Sequence, residues 1–119
     1  MKIGRYFSKE EFACKCGCGE DFEMDPNLIG VLDQLRFDLG SAVHINSGYR
    51  CKEHNESLGS KETSQHRKGT AADVSTKLYP PKQIADMLEK QLGNKGGLGR
   101  YTTFTHVDTR TRKARWGKN

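Results

Sequence analysis

The segment SQHRKGTAADVS, Ser64 to Ser75, sets an imidazole, His66, seven positions before a carboxylate, Asp73, with small residues in between. A second imidazole, His106, stands in FTHVDTR, with Asp108 two residues on. TAADVS alternates like a strand, so Ala71, Asp73 and Ser75 share one face and Ala72 and Val74 the other. A carboxylate in mid-strand beside alanines loses water and needs a cation or strong donors. Gly69 and the two alanines keep its surroundings thin, which leaves room for an ion and a ligand. His66, Asp73 and His106 together form a nitrogen and oxygen donor set suited to zinc at about 2.0–2.2 Å. Three protein ligands leave a fourth position for water, the catalytic rather than the structural pattern. Spacing alone also allows a loop histidine and a hydrogen-bonded strand histidine.

Arg50, in SGYR, follows a strand and a glycine turn, and its guanidinium can hold a carboxylate bidentately. Its plain alternative is a surface arginine on a turn. Ser64, two residues before His66, is a candidate hydrogen-bond donor to substrate or ligand.

Four cysteines form a second group: Cys14, Cys16 and Cys18 in CKCGCG, and Cys51 directly after Arg50. Three readings are open. Two disulfides are disfavoured because alternate residues of a strand point to opposite sides and strain short bridges. A chain without an export signal also belongs to a reducing compartment. Four thiolates around a second, structural zinc would pin the N-terminal segment beside the SGYR turn and support a modest core. Free buried thiols are the third reading.

The elements that must position these residues are legible. Ser8 and Glu11 in SKEEF form a capping box that starts a short helix. Asp25 caps a longer helix with Pro26 in its first position, an apolar stripe of Leu28, Val31, Leu32, Leu35 and Leu39, and Gly40 at its end. AVHIN alternates as a short strand, and SGYRCKEHNESLG reads as a turn and a short helix. SKETSQHRKG is a polar loop leading into the TAADVS strand. YPPKQIADMLEKQLG is a second clear helix, with Ile84, Met87, Leu88 and Leu92 on one face. NKGGLG reads as a turn, and RYTTFTHVDTR as a strand or strand pair. Two good helices and three or four short strands predict an α+β domain, with helices packed on a small, mostly antiparallel sheet.

The 119 residues fit one domain, 1–119, and no linker divides them. Hydrophobic content of 34% and charged content of 29% describe a soluble chain, and no stretch approaches the apolar run of a membrane span. The N-terminus has no apolar signal-peptide core, so synthesis in the cytoplasm without an export signal is expected. The net charge of +5 resides in residues 110–119, RTRKARWGKN, which hold five basic residues and no acid. That tail reads as a solvated, frayed terminus or as an attraction to a polyanion, with Trp116 able to stack on a base or a sugar.

SGYRCKEHN, SQHRKGTAADVS, GLGRY and FTHVDTR occur in this order and at compatible spacing. Together they resemble the zinc D-alanyl-D-alanine carboxypeptidases and related cell-wall peptidases of the M15 family, most closely the small phage- and prophage-type branch. The resemblance spans nearly the whole chain. It implies the α+β fold shared with the zinc domain of hedgehog signalling proteins, and metal ligands at His66, Asp73 and His106. It also implies a catalytic role for Arg50, which would hold the substrate and its developing charge. Many relatives carry an acid three positions before the last histidine; here that position is Thr103, which cannot serve as a base. Asp108, on the strand face of His106, is then the candidate general base, with a partner that orients an imidazole, or a ligand itself, as its alternatives.

The expected activity is zinc-dependent hydrolysis of D-amino-acid-containing bonds in peptidoglycan stem peptides, either D-Ala–D-Ala at a C-terminus or an internal bond. The expected site of action is the bacterial wall, reached by phage-type release, with the basic tail held near anionic wall polymers. A monomer is expected. The alternative is a non-catalytic zinc-containing module for the wall or a protein on the same fold. A nucleic-acid partner would leave the histidine and aspartate pattern unexplained.

Overall fold

The structure is a computed structural model that describes residues 1–119. In chain order its elements are α1 (Pro26–Leu39), β1 (His44–Ser47), α2 (Lys52–Ser57), β2 (Ala71–Ser75), α3 (Pro81–Leu92), β3 (Gly97–Arg100), β4 (Thr105–Asp108) and β5 (Ala114–Gly117). Single 3-10 turns lie at Lys9–Phe12 and Gln65–Lys68. The Asp25 side chain accepts from the Asn27 N–H at 3.2 Å, and the left-handed Gly40 (φ 65°) closes α1. Leu28, Leu32, Leu35 and Leu39 are buried as the stripe predicts; Ile29 is buried too, while Val31 is half-buried. SKEEF is shorter and tighter than an α-helix, but Glu11 does reach back to the Ser8 N–H at 2.8 Å.

The sheet order is β1-β2-β4-β3-β5. The β1–β2, β2–β4 and β3–β4 pairs are antiparallel and the β3–β5 pair is parallel. The fold is therefore the expected α+β arrangement on a mostly antiparallel sheet. α3 packs on β3 and β4, and α1 packs on α3. Ile45, Ala72, Val74, Leu98 and Val107 join the helical leucines in one buried apolar cluster. Leu28, Leu32, Leu35 and Leu88 are fully buried, and truncating any one to Ala should cost about 2–5 kcal/mol. No helix is long and apolar enough to cross a membrane.

Two expectations fail. GLGR is a strand, β3, rather than part of a turn. Its glycines are there for space: a Cβ on Gly97 would land inside the Asp108 carboxylate, and one on Gly99 would sit 2.5 Å from Trp116 Nε1. The basic tail is not frayed. Ala114–Gly117 pairs with β3, Arg115 Nε meets Glu89 on α3 at 2.7 Å, and the Arg115 guanidinium also donates to the carbonyls of Gly93, Lys95 and Gly96. RYTTFTHVDTR takes the second of its two readings, a strand pair: Arg100 ends β3, β4 begins at Thr105, and the two strands pair.

Candidate metal centre

Cross-strand register builds most of the site. Asp73 on β2 pairs with His106 on β4, His106 with Gly99 on β3, and Gly99 with Trp116 on β5. Paired residues in a sheet project to the same side, so these four make one row on the face turned away from Val74, Val107 and Leu98. Gly99, lacking a side chain, lets the Trp116 ring approach His106 to 5.1 Å between centroids. His66 comes from outside the sheet, on the 3-10 turn that Ser64 caps by accepting the His66 N–H at 3.2 Å. Gly69, at φ 73°, ends that turn and leads into β2. The polar loop SKETSQHRKG thus carries a turn whose histidine is only 3% exposed.

The hydrogen bonds of the two imidazoles fix what the site can hold. His66 Nδ1 lies 2.8 Å from the Gly48 carbonyl oxygen, which can only accept, so Nδ1 carries the proton and Nε2 presents a lone pair. His106 has a carboxylate at each ring nitrogen, Asp108 Oδ2 at 2.7 Å from Nε2 and Asp73 Oδ1 at 3.0 Å from Nδ1; the shorter contact takes the proton of the neutral ring at Nε2 and leaves the lone pair on Nδ1. Both lone pairs point at one oxygen: Asp73 Oδ1 is 3.3 Å from His66 Nε2 and 3.0 Å from His106 Nδ1. Three acceptor atoms converging in a buried place repel one another unless a proton or a cation lies among them. All three fall within 4.8 Å of one another, and neighbouring ligands of a tetrahedral zinc are about 3.3 Å apart for bonds near 2.05 Å. The donor set fits a zinc ion in type, number and spacing.

Charge around the cluster agrees. Burial opposes the Asp73 carboxylate, but the His106 and His66 imidazoles outweigh it and hold its pKa well below the usual carboxylate range. Burial would also lower the pKa of His106, yet its hydrogen bonds to Asp108 and Asp73 raise it. Asp108 is completely buried. Its Oδ1 accepts from the Arg110 backbone N–H at 3.1 Å and Nε at 2.8 Å; its Oδ2 accepts from Arg110 Nη2 at 2.7 Å and from His106. These donors overcome burial and keep its pKa low.

A cleft of about 520 Å³ opens over the cluster, lined by Arg50, Ser64, His66, Asp73, Tyr101, Phe104, His106, Arg110 and Trp116 among others. Asp73 is the only carboxylate among its lining residues, and neither Thr103 nor Asp108 reaches it. Arg50 lies beside the candidate ligands, with Nη2 3.4 Å from Asp73 Oδ2 and further contacts to Ser47 and Ser60 hydroxyls. Arg110, Tyr101 and Phe104 line the cleft without having been site candidates from the sequence. Arg110 had a signal, since it lies two residues beyond Asp108, but the basic run around it hid that spacing. Cys14, Cys16, Cys18 and Cys51 gather elsewhere, with their sulfurs within 4.8 Å of one another.

A family model described as Peptidase M15 matches residues 5–108. No curated protein sequence matches the chain.

Proposed function

The chain belongs to the M15 peptidase family, and we propose that it is a zinc metallopeptidase acting on peptidoglycan stem peptides, with the ion held by His66 Nε2, Asp73 Oδ1 and His106 Nδ1. The observation that carries this reading is the convergence of those three acceptor atoms at the floor of an open cleft. When bound, zinc supplies a Lewis acid that polarises a scissile carbonyl and acidifies a water molecule. The protein's own part is orientation. The Gly48 carbonyl and Asp108 hold the two imidazoles in the tautomers that leave ligand lone pairs facing inward. Arg50 engages Asp73 Oδ2, turns Oδ1 toward the imidazoles, and keeps guanidinium donors in the cleft for a substrate carboxylate or carbonyl oxygen. Tyr101 and Phe104, stacked at 4.4 Å, and Trp116 form an aromatic wall against which a short peptide can lie. Ser64 caps the His66 turn at the cleft margin and is within reach of the same ligand.

Asp108 is assigned a positioning role rather than that of general base. Both of its oxygens are already taken by donors, and it lies behind His106 rather than in the cleft. Hydrolysis of purified peptidoglycan, with and without a zinc chelator, tests the proposal, the released fragments being identified by mass. Chelator-sensitive release is expected, and the fragment masses name the bond.

A second reading is favoured by one observation. The cleft offers no carboxylate beyond Asp73 to accept a proton, which suits a zinc-containing module that binds wall peptides without cutting them. Protein that carries zinc, binds peptidoglycan and releases nothing would establish that reading instead.

A further inference from the structure

We infer that Cys14, Cys16, Cys18 and Cys51 form a second metal site, a tetrathiolate centre for one zinc-like divalent ion, which fastens the N-terminal segment to the loop carrying Arg50. This goes beyond the peptidase reading and does not depend on it.

Three of the sulfurs form a nearly equilateral triangle. Cys14 Sγ is 3.3 Å from Cys16 Sγ, and Cys51 Sγ is 3.6 Å from each. Cys18 Sγ completes the group, all four lying within 4.8 Å of one another. In a tetrahedral zinc site with bonds of about 2.3 Å the sulfurs stand about 3.8 Å apart. All four cysteines are free. Two disulfides would require one bridge inside the Cys14–Cys18 run, because three of the four cysteines lie there, and so short a ring strains the bond. Oxygen-preferring ions such as magnesium are poorly served by four sulfur donors, whereas thiolates in a tetrahedron suit zinc.

The backbone is shaped to receive thiolates. Gly17 takes a left-handed conformation (φ 80°) and its N–H donates to the Cys14 carbonyl at 3.2 Å, a turn that breaks the alternation of the C-x-C-x-C run so that its side chains converge. Backbone N–H groups aim at three of the sulfurs: Cys51 N at Cys14 Sγ, His54 N at Cys51 Sγ and Glu20 N at Cys18 Sγ, each at 3.4 Å. Cys14 and Cys51 are buried while Cys16 and Cys18 are exposed, so the ion would sit just beneath the surface with a path from solvent.

What this centre would hold together is specific. The Tyr49 N–H donates to the Phe12 carbonyl at 2.8 Å, and Gly48 lies so close to Phe12 that a Cβ there would be 2.8 Å from its backbone. The same loop offers the Gly48 carbonyl to His66 and carries Arg50 immediately before Cys51. Fixing Cys51 to the CKCGCG segment therefore fixes the loop that orients one ligand of the first site.

The test is metal content of the full chain loaded with zinc under reducing conditions, with cobalt(II) substituted in parallel to reveal thiolate-to-metal charge-transfer absorption. Wild type should hold two ions per chain. The double variant His66→Ala, His106→Ala should hold one, with the thiolate bands intact in its cobalt form. Cys16→Ser should weaken those bands, since one of the four thiolates is gone, and keep the ion of the histidine site. Replacing the buried Cys14 or Cys51 can unfold the chain, so the double-histidine variant, with all four cysteines in place, carries the decision. If it binds no zinc, gives no thiolate bands, or has a mass short by the hydrogens of a disulfide, the inference is overturned. None of these readings involves hydrolysis, so a failed peptidase reading leaves them unaffected.

Discussion

Asp108→Asn should damage metal binding through the wrong tautomer of a neighbouring ring. The carboxylate accepts four hydrogen bonds, three from Arg110 and one from His106, and it has donors at both oxygens. An asparagine amide has one accepting oxygen, so either orientation sets its NH₂ against a donor. The way out is for His106 to move its proton from Nε2 to Nδ1, which removes the lone pair that faces Asp73. Loss of such an imidazole partner costs about 10–100-fold in metal affinity. Stability falls as well. Breaking a buried ion pair costs about 3–5 kcal/mol, and because the Arg110 side chain is 33% exposed and can be rehydrated, the lower end, about 3 kcal/mol, is expected. Zinc affinity is measured by competition with a chromophoric chelator, stability by urea denaturation with and without metal, and turnover at rising zinc. The expected pattern is weaker zinc, a lower urea midpoint, and turnover that recovers to within a few-fold of wild type once zinc saturates. A variant with wild-type zinc affinity and collapsed kcat would refute the positioning role and return Asp108 to the chemistry itself.

Zinc at a hundred times its Kd should stabilise the wild-type fold by about 2.7 kcal/mol, read as a chelator-reversible rise in Tm; no change in Tm would mean that zinc does not bind the folded state in preference. Zinc affinity should weaken as pH falls through the raised pKa of His106, because the proton and the ion compete for Nδ1, and competition titrations across pH will show it. In metal-free protein the sign reverses for stability: the His106 contribution is fully present below the unfolded value of about 6.5 and lost as pH rises through the folded pKa. The Asp73 and Asp108 contributions, from lowered pKa values, are present above about 3.9 and lost as pH falls, so urea midpoints should decline on both sides. Gly97→Ala should destabilise by about 1–3 kcal/mol or more, since its methyl group would occupy the Asp108 carboxylate; an unchanged urea midpoint would place that carboxylate elsewhere. Deleting residues 110–119 should lower the melting temperature and weaken zinc binding, because it strips β5 from β3 and Arg110 from Asp108; a detachable tail would leave both unchanged.

The sequence made the helices legible because each has its own punctuation: Asp25, Pro26 and Gly40 around α1, and Pro80, Pro81 and Gly93 around α3. His66, Asp73 and His106 were legible as a set through spacing and resemblance, and the alternation of β2 correctly put Asp73 on the face opposite Val74. β3 was lost because glycines that make room for Asp108 and Trp116 look the same in sequence as glycines that make a turn. β5 is hidden because a run of basic residues reads as solvated: that run masks the short spacing from Arg110 to Asp108, and nothing in the one-dimensional pattern announces that Arg115 has a partner at Glu89. The Gly48 carbonyl was invisible in principle, since a main-chain oxygen has no letter. Tertiary contact assigns these roles, and local pattern does not carry it.

The row that runs Asp73, His106, Gly99, Trp116 across four strands has a consequence for how the chain finds its fold. β2 and β4 are joined through α3 and β3 rather than by a tight turn, so no hairpin geometry dictates how they align. A slip of one residue between them would send His106 to the apolar side and bring Thr105 or Val107 opposite Asp73. Such a slipped chain would lack a ligand of the proposed ion. An ion bound there would reward only the correct alignment, so that loading the site and proofreading the sheet become one event.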